Sequence, residues 1–130
     1  MFIDANIFLE IALKDKNWEK CVKFINDAVI NNRSLCTSDF IIYSCLIIIY
    51  DKLNSHLKMM DFLVFINSLG IDVIRPSLKA VYNAMEIMAK EKLDFDDALV
   101  ISCMIENGIR DLISYDGHFD KIKNVNIIRP

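Results

Sequence analysis

The sequence is poor in chain breakers. Only 3 Gly and 2 Pro occur in 130 residues, of which 54% are hydrophobic. That is too few breakers for a turn-rich all-β sandwich, and too much apolar content for a disordered chain. An excess of positive charge is also missing. The formal net charge is −3, whereas nucleic-acid-binding surfaces are normally basic, so any phosphate contact must come from a local patch. The 4 Cys, at positions 21, 36, 45 and 103, form no C-x-x-C pair and have no His close by. This excludes a zinc or redox motif and leaves buried free thiols in a reducing compartment. The longest apolar run, Phe40 to Tyr50, is about half of the ~20 residues a membrane span requires, and the N-terminus lacks the basic-then-apolar pattern of a secretion signal. The expectation is a soluble, cytoplasmic protein with no membrane segment.

What is present reads as one α/β domain over 1–130. A chain of this size buries roughly two-thirds of the surface it exposes when unfolded, enough for a real core. Phe2-Ile3 makes a first strand. From Asn6 onward, Ile7 and Ile11, then Trp18, Cys21, Val22, Ile25 and Val29 recur at helical spacing, interrupted by Lys14-Asp15-Lys16-Asn17. Asn31-Asn32 ends the second helix, Leu35-Cys36-Thr37 reads as a strand, and Ser38 or Asp39 opens a buried helix over 40–50. Its Tyr and Phe are expected to pack in the core or to line a self-contact. A helix from Ser55 to Leu69 stops at Gly70. A strand at 72–75, a turn at Pro76-Ser77 and a helix over 78–90 follow. Asp94 opens a helix that stops at Asn107-Gly108, Leu112 to Asp116 is an apolar run ending in an acid, and 125–128 is the last strand. This alternation predicts a three-layer α/β/α sandwich with a central, mostly parallel sheet.

Each acid has two readings. Asp4 either stands at a strand tip, where open parallel sheets collect ligands, or caps the helix that follows. Asp94 and Asp97 have capping-box spacing, and the cap is the expected role of Asp94. Asp96 is expected in solvent, because adjacent helical residues point about 100° apart. Asp116 either joins the acids or opens a turn before Gly117, and His118 reads as a loop residue. Taken jointly, acids at strand tips would converge on one sheet edge, at a cost that a cation removes. Oxygen-only donors with no accompanying Cys or His favour Mg²⁺ or Mn²⁺ over Zn²⁺, and such centres commonly support phosphoryl hydrolysis.

Phe2-Ile3-Asp4-Ala5-Asn6, Leu93-Asp94-Phe95-Asp96-Asp97-Ala98-Leu99 and Leu112 through Asp120 resemble, in order and spacing, the three signature segments of the PIN-domain family. The resemblance spans the chain. It implies a PIN-like α/β/α fold, Mg²⁺ or Mn²⁺ held by clustered acids, endonucleolytic cleavage of RNA and a homodimer. It also implies, for relatives of the VapC type, a toxin paired with an antitoxin protein. Carried over by position, the implied catalytic and metal-binding residues are Asp4, Asp97 and Asp116, with Asp94 and Asp120 in support and Asn6 and Ser114 as hydrogen-bonding partners. One position departs: the family's second acid falls at Ser44, a weaker, uncharged ligand, and neither Asp39 nor Glu10 is taken as its replacement. The alternative is therefore a weakened PIN-like module that binds RNA or protein. A phosphatase of the haloacid dehalogenase type ranks low, since it expects a second Asp where Asn6 stands.

Overall fold

The computed structural model describes all residues from Met1 to Pro130. Five short strands alternate with helices: β1 Phe2–Ile3, α1 Ala5–Leu13, α2 Trp18–Ile30, β2 Cys36–Ser38, α3 Asp39–Leu53, α4 His56–Ser68, β3 Asp72–Ile74, α5 Leu78–Glu91, α6 Phe95–Glu106, β4 Asp111–Ile113 and β5 Asn126–Ile128. A 3-10 turn, Gly117–Lys121, joins the last two strands. The strands form one sheet in the order β3-β2-β1-β4-β5, and every neighbouring pair is parallel. The expected architecture stands, with a sheet parallel throughout rather than mostly so.

The order of the strands explains the layers. From β1 the chain steps to β2 and β3 on one side, then crosses to β4 and β5 on the other. Right-handed crossovers in opposite directions put helices on opposite faces. The packing agrees, α1 contacting α2 and α3, α3 contacting α4, and α5 contacting α6. The direction reverses between β1 and β4, and a sheet of this kind opens a crevice at that switch point.

Local chemistry sets the boundaries. Serines cap three helices: Ser38 Oγ accepts from Ile41 N at 3.3 Å, Ser55 Oγ from Lys58 N at 3.4 Å, and Ser77 Oγ from Ala80 N at 3.0 Å. The polar break after Leu13 is a left-handed residue, Lys14 at φ 51°, and Asn54 ends α3 in the same conformation at φ 46°, which Asn tolerates better than most residues.

The central strands are wholly enclosed: Phe2, Ile3, Leu112 and Ile113 have no exposed surface. Edge strand β3 leaves Asp72 and Val73 exposed, so it lacks the continuous apolar signature of a covered strand. The helix over 40–50 is only half buried. Ile41, Ile42, Cys45 and Ile49 face the core, while Tyr43 is 60% exposed, Ile47 69% and Tyr50 51%. These three lie at helical spacing on one stripe, and this chain has only enough neighbours to cover the other side. The tyrosines are therefore not core residues. All four cysteines are free and buried. Burial pushes the Cys45 thiol up to about 12, with the negative charge of Asp4 adding to it, and the Cys103 thiol to about 11, so neither is a reactive thiolate.

Phe119, in the 3-10 turn, is fully buried and pins the segment between Asp116 and Ile122 to the core. Phe119→Ala should cost about 3–5 kcal/mol in urea unfolding, whereas Tyr43→Ala on the exposed stripe should change stability by no more than about 0.5 kcal/mol. Equal effects of the two would contradict this division of core from surface.

Candidate metal centre

Asp4 follows β1 directly and is the N-cap of α1: with φ −81° and ψ 160° its backbone is still extended, and Oδ1 accepts from Ala5 N at 2.7 Å. Both readings of this residue hold together, because the tip of the strand is also the start of the helix. Its carboxylate is 6% exposed. Oδ2 accepts from Asn6 Nδ2 at 2.6 Å and from Ser114 Oγ at 2.6 Å.

Ser114 follows β4 on the neighbouring strand. Backbone bonds from Asp4 N to the Ile113 carbonyl and from Ser114 N to the Ile128 carbonyl, each 3.1 Å, hold the strand ends level. The Ser114 hydroxyl donates to Asp4 and accepts from Asn6 Nδ2 at 2.9 Å and from Asp116 N at 3.0 Å. A hydroxyl has one proton and two lone pairs, so Ser114 is fully used. Asn6 Oδ1 accepts from Tyr115 N at 3.1 Å. The network fixes the path of the chain from Ser114 to Asp116.

Asp116 opens the 3-10 turn, its Oδ1 accepting from His118 N at 2.7 Å. That turn carries His118 back over the acids, with Nδ1 3.4 Å from Asp97 Oδ2 and 3.4 Å from Asp116 Oδ1. Asp97 enters from the first turn of α6. Donor atoms of Asp97, Asp116 and His118 all lie within 4.8 Å of one another. His118 was expected to be a plain loop residue, and the structure corrects this. The contact depends on a turn whose geometry has no periodic signature, although Asp two residues before His is a known way to close one.

The acids feel one another. Asp4 is raised to about 6, chiefly by burial, against the lowering effect of its Ser114 and Ala5 bonds, with Asp97 and Asp116 raising it further. Asp97 is also raised, by burial first, then by Asp116 and Asp96, with His118 opposing. Clustered carboxylates that resist ionisation are relieved by a cation, and the carboxylate oxygens of Asp97 and Asp116 suit Mn²⁺ or Mg²⁺. The residues present fit such an ion.

The structure separates the other candidates. Asp94 has the backbone geometry of an N-cap, but its side chain makes no capping bond, and Asp97, three residues on, turns toward His118 rather than completing a capping box. Asp96 is exposed, as expected. Asp120 pairs with Arg129 at 2.5 Å and is absent from the donor group. Asp39 pairs with Arg75 at 3.9 Å. Ser44 is half-buried on α3, beside Cys45, whose Sγ lies 3.7 Å from the Ala5 carbonyl.

A family model for the PIN domain matches residues 1–125. Among solved structures, the chain is similar to VapC20 of Mycobacterium tuberculosis, a sarcin-ricin loop cleaving toxin, with 16% identity, TM-score 0.80, and coverage of 99% of this chain and 98% of that one. It is similar to VapBC2 of Rickettsia felis bound to a promoter DNA fragment, with 16% identity, TM-score 0.76, and coverage of 99% and 97%. It is also similar to a toxin–antitoxin complex from Klebsiella pneumoniae, with 12% identity, TM-score 0.69, and coverage of 98% and 94%. No curated protein matches the sequence significantly.

The raised Asp4 sets a pH dependence. The folded protein keeps this proton up to about pH 6, while the unfolded chain releases it near 3.8. Between these values the folded state binds more protons, so stability is greatest below the window and falls as pH rises through it, by up to about 3 kcal/mol. Asp97 acts in the same direction. Urea unfolding at pH 4 to 7 should show this fall, and Asp4→Asn should flatten it whatever its own stability. An unchanged slope in the variant would show that Asp4 is not the group responsible.

Proposed function

The chain belongs to the PIN-domain family, and from that premise we propose that it is a metal-dependent endoribonuclease, the toxin of a toxin–antitoxin pair. The observation that carries the reading is the meeting of Asp97, Asp116 and His118 within 4.8 Å, with the buried Asp4 electrostatically coupled behind them. Asp97 and Asp116 would hold Mg²⁺ or Mn²⁺, with Asp4 contributing through whatever lone pair its three accepted hydrogen bonds leave. When bound, the ion supplies positive charge for the phosphate oxygens and a more acidic water for attack.

The chain's own residues do the positioning. Asn6 and Ser114 lock the Asp4 carboxylate and the backbone at Asp116. Phe119 anchors the turn that presents Asp116 and His118. His118 Nδ1 lies 3.4 Å from both Asp97 Oδ2 and Asp116 Oδ1, where it would add a nitrogen to the atoms facing the ion.

We assign the fold as a single PIN domain acting in the cytoplasm on RNA. The apolar stripe of Tyr43, Ile47 and Tyr50, continued by exposed Leu57, Met60 and Val64 on α4, supports a homodimer, and the likeness to toxin–antitoxin complexes supports an antitoxin partner. No helix is long and apolar enough to cross a membrane. Ser44 favours one second reading, a PIN-like module that binds without cutting, because its hydroxyl carries no charge to share in holding an ion.

The readings separate by experiment. Calorimetry should show Mn²⁺ binding to the wild type, about 10- to 100-fold weaker in Ser114→Ala; no binding up to about millimolar metal would favour the binding module. Single-stranded RNA should be cut in Mn²⁺ by the wild type and not by Asp97→Asn, while Ser44→Glu should cut faster. Cleavage undiminished in Asp97→Asn would remove the acid cluster from the mechanism.

A further inference from the structure

The residue that follows each strand forms a row along the crevice side of the sheet. These residues are Arg75 after β3, Asp39 after β2, Asp4 after β1, Ser114 after β4 and Arg129 after β5. Read in the spatial order β3-β2-β1-β4-β5, the row runs arginine, acid, acid, serine, arginine, with Asp116 two residues past the serine.

The register sets the row with one step in it: Phe2 is beside Cys36, so Asp4 is level with Ser38, and Asp39 and Arg75 stand one residue further along. Ile3 is beside Ile113 and Ile113 beside Ile128, so Asp4, Ser114 and Arg129 lie side by side. Ser38 is beside Ile74, so Asp39 and Arg75 do as well. Neighbouring strands are about 4.8 Å apart, which puts an arginine roughly 10 Å to either side of Asp4 and a span of about 19 Å between the two.

Both guanidinium groups are open, and that of Arg129 is also tethered. Arg75 has its Nε 3.9 Å from Asp39 Oδ2, and its side chain is 90% exposed; Arg129 meets Asp120 Oδ1 through Nη2, and its side chain is 41% exposed. A guanidinium carries five N–H donors in a fixed fork. Asp120 engages one corner of Arg129, Asp39 only stands near Arg75, and the remaining donors are left for solvent or a ligand. Asp120 lies in the same 3-10 turn as His118, so Arg129 is referenced to the acid cluster itself.

An acidic cluster in a chain of net charge −3 repels a polyanion, and a substrate with phosphates on both sides of the reacting one needs cations on both sides. We propose that Arg75 and Arg129 bind the phosphates flanking the one at the acid cluster, so that a single strand of RNA lies across the strand ends from one sheet edge to the other. This rests on the ribonuclease reading above. Contacts of this kind fix register and carry no base preference, so their loss should weaken all sequences alike.

The test is fluorescence anisotropy with a labelled single-stranded RNA of about 12 nucleotides, in Ca²⁺ to fill the acid cluster, with the RNA checked for integrity. Arg75→Gln and Arg129→Gln should each weaken binding about tenfold and reduce the slope of log affinity against log salt by about 0.7. Lys58→Gln, beside Ile11 and Ala12 at the far end of α1, should change neither. Thermal unfolding of each variant at the wild-type temperature shows that folding is intact. Wild-type binding that both arginine variants retain, with the same salt slope, would overturn this proposal and leave the nuclease reading standing. A wild-type protein that binds no RNA would overturn the reading and this proposal with it.

Discussion

The structure depends on a carboxylate held out of water. Asp4 sits at the tip of the central strand, 6% exposed, a position where an unpartnered charge would be untenable. Three donors make it tenable: the Ala5 amide, the Asn6 amide group and the Ser114 hydroxyl. Each does a second task. Ala5 begins α1, Asn6 fastens Tyr115, and Ser114 fastens Asp116. The solvation of one acid therefore also fixes the ends of two neighbouring strands and the entry to the last turn. What the hydrogen bonds do not offset is the cost of burial, to which Asp97 and Asp116 add their repulsion, and this unfavourable balance is what a cation would relieve.

Much of this was legible in the sequence, and the reason is burial. Phe2-Ile3 and Leu112-Ile113 are covered on both faces, so they read as uninterrupted apolar runs, and their parallel pairing follows from the helices between them. Helix starts at Ser38 and Ser55 were legible because a capping serine is a local device, and Ser77, read as part of a turn, proves to be a third such cap. The meeting of Asp97 and Asp116 followed from the resemblance in motif order, while Asp4, expected to join them, stands outside their group of donor atoms.

The remainder was illegible where the determinant is not local. His118 reaches Asp97 only because the 3-10 turn folds back and Phe119 has a pocket to enter, and neither fact is written in its neighbours. Asp94 and Asp97 had the spacing of a reciprocal cap, but a tertiary partner drew Asp97 away. Composition likewise could not show that the apolar helix α3 would keep Tyr43, Ile47 and Tyr50 uncovered, since that depends on how many neighbours one chain can supply. Nor does a single arginine after a strand stand out until the spatial order of strands places Arg75 and Arg129 at opposite edges.

The hydrogen bond from Ser114 to Asp4 joins residues 110 positions apart. Contacts of such separation form late, after most of the loop entropy between them has been overcome. On a ribosome, Asp4 emerges early and waits as a lone solvated acid until β4 and the turn after it have been made. The cluster of acids is thus assembled only once segments from both ends of the sheet's switch point have been made and have folded against one another.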